Sequence, residues 1–146
     1  MKVSVKRFIL AGIVGTIAVL AVTIAIYATF FHDFLGQYSD ISKETVELIS
    51  RQPVNVGTML FANLAHGFLI TTVIWWGKFF KPLEGAKAAA VVAFLTEIYF
   101  CFSQYSIMKT MSLVSAISDT IMWTIINLLV GAAVSLVLGY RKNKEQ

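Results

Sequence analysis

A histidine at position 66 and a glutamate at position 97 sit in stretches that otherwise read as lipid-soluble. His66 belongs to FANLAHG, three residues after Asn63, and Glu97 belongs to VVAFLTEIYFC, four residues before Cys101. An imidazole changes charge near neutral pH and a carboxylate exchanges a proton, so the two together suit a proton relay. With the amides of Asn63 and Asn127 they equally suit a pocket that grips a small polar ligand, entered past Asp119 and Gln104. A charged carboxylate at the bilayer centre costs about 2.5–3.5 kcal/mol even on lenient insertion scales, so Glu97 must be paired, protonated or hydrated. His66 is its predicted partner. The plain alternative is a hydrogen-bonded cluster that only sets helix register.

Other chemistry finds less support. Haem would suit His66 as an axial ligand, but a bis-histidine site needs a second histidine at matching depth, and His32 is expected at a membrane interface. His66, Glu97 and Cys101 make a zinc-compatible set without a recognisable ligand spacing. Nucleophile elbow, phosphate-binding glycine loop and HExxH are all missing from the sequence, and its single cysteine cannot form an intrachain disulfide. No cofactor or metal is expected, and an enzyme is not the favoured reading.

The elements that must position these residues are membrane helices. With 58% hydrophobic and 14% charged residues over 146 positions, the chain is too apolar for an ordinary soluble domain of its size. Four stretches reach the length of roughly 20 residues that crosses a hydrocarbon core of about 30 Å: 8–31, 54–77, 85–107 and 118–140. Lys2, Lys6 and Arg7 before the first of them imitate a secretory signal. The apolar run then continues to Phe31, beyond the roughly 7–15 residues of a signal core, and predicts a retained helix. The fold class expected is an all-α integral membrane protein, a four-transmembrane-helix bundle forming one domain over 1–146.

Lysines and arginines set the orientation. Lys2, Lys6, Arg7, Lys78, Lys81, Lys87, Arg141, Lys142 and Lys144 fall on one side, and Lys43, Arg51 and Lys109 on the other, so both termini are expected in the cytoplasm of a bacterial inner membrane. The net charge of +4 and pI of about 9.3 are then a topological signal and do not argue for nucleic acid. Trp75, Trp76, Phe79 and Tyr140 form an aromatic belt on the cytoplasmic side. On the outer side, residues 39–52 place Ile41, Leu48 and Ile49 on one helical face, with Asp40 to cap and Pro53 to stop, which predicts a short interfacial helix.

An internal repeat is also hinted at. Asn63-Leu64-x-x-Gly67 recurs as Asn127-Leu128-x-x-Gly131, and Gly12, Gly15 and Tyr27 align with Ala90, Ala93 and Tyr105. Two parallel helix-pair repeats would give this pattern, and so would chance in an apolar sequence. Small residues mark the faces that pack: Gly85, Ala89 and Ala93 on the third helix, and Gly131, Ser135 and Gly139 on the fourth. Leucine at Val91 or Val130, off these stripes, is expected to matter less than leucine at Ala89 or Gly131. Asn63, His66, Glu97 and Asn127 fall at similar depths. The second and third helices, joined by about seven residues, are expected to be antiparallel neighbours that bring His66 against Glu97 as a jointly titrating pair.

The order LAGIVG, acidic linker, FANLAHG, GAKAAAVVAFL and LVGAAVSLVLGYRK resembles the small four-helix bacterial inner-membrane proteins grouped as domains of unknown function, common in Bacteroidetes. That resemblance implies a fold and no activity. Two function classes follow from the residues: a membrane protein that binds or translocates a small polar ligand or protons, as a homo-oligomer where one bundle encloses too little volume, or a non-catalytic accessory subunit of a larger membrane complex. The lipid bilayer is its partner in either case.

The sidedness is testable with single cysteines in a Cys101→Ser background. An impermeant maleimide added outside cells should label a cysteine placed at Lys109 and miss one placed at Lys81; the reverse pattern would invert the topology.

Overall fold

The computed structural model describes residues 4–26, 53 and 55–140. Among them are four helices and no strand: α1 Val5–Ile26, α2 Val56–Gly77, α3 Pro82–Ile107 and α4 Leu113–Gly139. Each is long and apolar enough to cross a membrane, and together they form a four-helix bundle. The predicted interfacial helix at 39–52, His32 and the end of the first predicted span lie outside the described residues.

Local signals place the helix ends. Asn55 caps α2 by accepting the Thr58 amide at 3.1 Å, and Ser112 caps α4 by accepting the Ser115 amide at 3.1 Å. α4 therefore starts at Leu113, five residues before the predicted 118, because the polar residues Ser115 and Asp119 fit its first turns once Ser112 has nucleated them. α3 starts at Pro82 instead of 85, since a proline costs nothing at a first helical position whose amide has no intrahelical partner. α2 ends where Lys78 turns left-handed at φ 56°, with the Phe79 amide reaching back to the Ile74 carbonyl at 3.0 Å. The α2–α3 connection is thus residues 78–81 and not seven residues.

α4 is the hub. It packs most extensively on α3, then on α1, and also touches α2; α1 packs on α2, and the α2–α3 seam is the slightest of these five interfaces. The close crossings run through small residues. A methyl group on Gly131 would fall 2.5 Å from the Ala89 side chain and 2.9 Å from the Gly85 backbone, and one on Gly85 would fall 2.8 Å from the Gly131 carbonyl. α1 meets α2 the same way: a methyl group on Gly67 would fall 2.6 Å from the Thr16 amide, and one on Gly12 inside the Phe68 ring. Without a hydrophobic driving force between helices in lipid, such backbone approach is the main source of association.

The two helix pairs share this glycine crossing, but the partners of Gly131 lie at 85 and 89, about one turn before the Ala90 that alignment with Gly12 implies. Val130 also departs from expectation: it is fully buried, because three helices surround α4 and cover far more than a narrow stripe. Val91 is exposed.

One end of the bundle gathers every described lysine and arginine except Lys109. The Arg7 guanidinium donates to the Leu138 carbonyl at 3.5 Å, Ser135 donates to the Phe79 carbonyl at 2.8 Å, and Gly139 lies against the Phe80 backbone. The start of α1, the α2–α3 turn and the end of α4 therefore lie together, with Lys78, Lys81 and Lys87 beside them and Lys109 at the other end.

Overpacking the central crossing should be costly. Gly131→Ala should lower stability by about 1–3 kcal/mol, read as the midpoint of denaturant unfolding in detergent, while Val91→Leu should leave it unchanged within about 0.5 kcal/mol. Equal tolerance at both positions would show that α3 and α4 do not meet here.

Candidate intramembrane polar site

The Ala89–Gly131 crossing fixes the register of everything above it. In the antiparallel α3–α4 pair, four-residue steps away from the basic end place Ala93 beside Asn127, Glu97 beside Trp123, and Cys101 beside Asp119 and Thr120. The polar groups thus form a ladder spaced by about one helical turn, or roughly 5.4 Å, and not a single level.

The innermost rung joins α2 to α4. Asn127 is fully buried, and its amide nitrogen donates to the Trp123 carbonyl at 2.9 Å. A carbonyl can only accept, so the NH2 of Asn127 must face it, and Oδ1 must face His66 Nε2 at 2.7 Å. Nε2 then carries the proton and Nδ1 is the basic nitrogen of the neutral ring. The edge of the imidazole packs on Trp123, with ring centroids 5.7 Å apart and planes at 62°.

Glu97 does not pair with His66. No hydrogen bond or ion pair joins them; the carboxylate instead accepts from the Cys101 thiol at 3.5 Å, a long and weak contact. The reason is the architecture: α2 and α3 follow one another in the chain, but α4 comes between their polar faces and takes the histidine. Glu97 is half-buried and lies within electrostatic range of both His66 and Asp119. The buried Thr120 hydroxyl, next to Cys101, donates to the Ala116 carbonyl at 2.8 Å.

The other predicted members sit apart. Asn63 bonds locally, donating to the Met59 carbonyl at 2.8 Å, and makes no side-chain hydrogen bond to another helix among the described residues. Gln104 is partly exposed and makes no side-chain hydrogen bond among the described residues. On the far half of α1, the Thr23 hydroxyl is buried without a partner among the described residues. Trp123 and Thr120 belong to the site and were not expected there; Trp123 was signalled by lying four residues before Asn127, where an asparagine side chain finds a free-facing carbonyl.

Toward the basic end the ladder stops. The buried hydroxyls there are each committed to backbone: Ser135 to the Phe79 carbonyl, Thr71 to the Gly67 carbonyl at 2.8 Å and Thr16 to the Gly12 carbonyl at 2.9 Å. Ile70, Ile74, Val130, Val134 and Leu138 fill the remaining space without exposure.

No set of three histidine, cysteine or carboxylate side chains converges to hold a metal ion among the described residues, so His66, Glu97 and Cys101 do not form the zinc site considered above. A haem at His66 would have to displace Asn127 from Nε2 or reach Nδ1. No protein-family model, curated protein or solved structure matches the chain.

A double-mutant cycle separates the two pairings. His66→Ala and Asn127→Ala should show a coupling energy of about 0.6–1.7 kcal/mol in detergent unfolding, the range of interhelical hydrogen bonds in membranes. His66→Ala and Glu97→Gln should add to within about 0.5 kcal/mol. Stronger coupling to Glu97 than to Asn127 would contradict the arrangement.

Proposed function

We propose that this multi-pass membrane protein binds protons, or a small polar ligand exchanging with them, at His66 and Glu97, with access from the end opposite the lysine-rich turn. The observation that carries the reading is the His66–Asn127 bond, which orients a mid-membrane imidazole and leaves its basic nitrogen without a hydrogen-bond partner among the described residues. Glu97, one turn further out, is a half-buried carboxylate whose hydrogen-bond partner among the described residues is a thiol. Asp119 and Gln104 continue the polar line toward the helix ends. Intramembrane ionisable groups of this kind mark proton and ligand paths.

Asn127 would act as the orienting group, His66 as the terminal proton acceptor and Glu97 as the exchanger between them and the outside. The basic end faces the cytoplasm of a bacterial inner membrane in this reading, since lysines and arginines accumulate on that side. Because the cytoplasmic half is filled by apolar side chains and hydroxyls already bonded to backbone, one bundle supports binding more readily than passage. Through-transport would require a second copy or a second arrangement of the helices. Membership of the uncharacterised four-helix family that the sequence resembles is compatible with this role.

Trp123 offers a direct readout because imidazolium quenches an indole in contact. In a Trp75→Phe, Trp76→Phe background, Trp123 emission should fall when the outer medium is acidified. The decrease should vanish in His66→Gln and persist in Lys109→Gln. Emission that ignores pH, in protein that still unfolds cooperatively, would remove the proton site and leave the accessory-subunit role, which co-purification with a larger complex would then support.

A further inference from the structure

The slight α2–α3 seam opens on the bundle surface as a groove of about 760 Å³ at the lysine-rich end. Its walls are Val73 on α2 and Ala88, Val91 and Val92 on α3, and its mouth carries Lys78 and Lys87. We propose that this groove is a binding site for one anionic phospholipid, with an acyl chain along the valines and the phosphate between Lys78 and Lys87.

Charge complementarity selects the occupant. Glu84 also lines the mouth, but its carboxylate is taken by Lys81 at 3.0 Å, so that pair is neutral toward a ligand. Lys78 and Lys87 make no side-chain hydrogen bond or ion pair among the described residues, and they leave the mouth with two uncompensated cations. Lys78 occupies a left-handed position, φ 56°, where glycine would be easier, so the chain places a cation there at some conformational cost. Depth matches as well. Lys78 ends α2, and Lys87 is five residues into α3, from where its long stem reaches back to the interface while Val91 lies a further turn below. Cations at headgroup level above an apolar slot fit a phosphodiester above its acyl chain. The volume falls within the usual range of about 300–1,000 Å³ for small-molecule sites. The exposed Trp76, at the end of α2, flanks the same interface. A second polypeptide would need to supply an acidic group at this depth, whereas the bilayer supplies one with every anionic lipid.

Native mass spectrometry of the detergent-purified chain tests this with phosphatidylglycerol and phosphatidylcholine of equal acyl length. Phosphatidylglycerol should be retained as a single adduct in preference to phosphatidylcholine. Lys78→Gln with Lys87→Gln should weaken it about 30-fold, at about fivefold for each lysine near a charged surface, while Lys109→Gln should change nothing. Val91→Trp keeps the charges and fills the slot, so it should weaken retention at unchanged fold; Val91 is exposed, which makes the substitution tolerable even if the double lysine variant does not fold. Equal retention of the two lipids, full retention by Val91→Trp, or equal competition by soluble glycerol phosphate would overturn the lipid site. So would a dimer that persists without lipid and is lost in Val91→Trp, which would give the groove to a second copy.

Discussion

The backbone approach of α4 to α3 at Gly131, Gly85 and Ala89 is the contact on which the rest of the polar architecture depends. It sets both the distance between the two helices and their register, and neither can shift without driving a side chain into a backbone. Once Ala89 faces Gly131, helical geometry dictates that Glu97 arrives beside Trp123 and Cys101 beside Thr120. The ladder of exchangeable groups is a consequence of small residues two and three turns away. Asn127 is tied into the same arrangement: the helix that carries Gly131 carries Asn127 one turn further on, fully buried, where His66 of α2 can reach it.

The two ionisable residues at the centre are held very differently. His66 is fixed by a bond whose acceptor is itself fixed, so its ring has one orientation and one tautomer. Among the described residues Glu97 has a long contact to a thiol on its own helix and no other hydrogen bond, which positions it weakly. In the proton-binding role proposed above, a fixed acceptor beside a loosely held carboxylate would suit proton delivery, because the carboxylate could change partner without disturbing the fold. A cluster serving only to fix register would spend both groups in short interhelical bonds.

Much of the fold was legible because membrane helices are written in length and hydropathy, and all four spans could be placed from 146 residues of sequence. Small-residue spacing likewise pointed to positions that meet, since only glycine and alanine permit the observed approach. Less legible were the helix ends, where Ser112 and Pro82 were stronger signals than the hydropathy that was followed. The pairing within the site was the least legible. Chain order suggested that α2 and α3, joined by a short turn, would share a face, but lateral packing is decided by which helix offers the smallest surface. α4, whose stripe of Ser135 and Gly131 continues into Asn127, outcompetes α3 for His66. Depth was misjudged for a related reason: counting from helix ends treats every helix as starting at the same height, whereas α4 begins well outside its expected start and shifts Asn127 by a turn relative to Glu97.

The bundle is divided along its axis into a half built from backbone contacts and a half built from polar side chains. At the basic end the Gly85–Gly131 crossing, the Ser135–Phe79 bond and the Arg7–Leu138 bond link the four helices near the two termini and the short turn. Separating the helices here would mean pulling apart backbones that touch, at the cost of the interactions that hold them together in lipid. At the far end the His66–Asn127 bond, worth about 1 kcal/mol, joins α2 to α4, and it can be exchanged without moving a backbone. Rearrangement is therefore easiest where the ionisable groups lie and hardest at the glycine crossing, which is the physical reason the function proposed above is binding from one side and not transfer across the membrane.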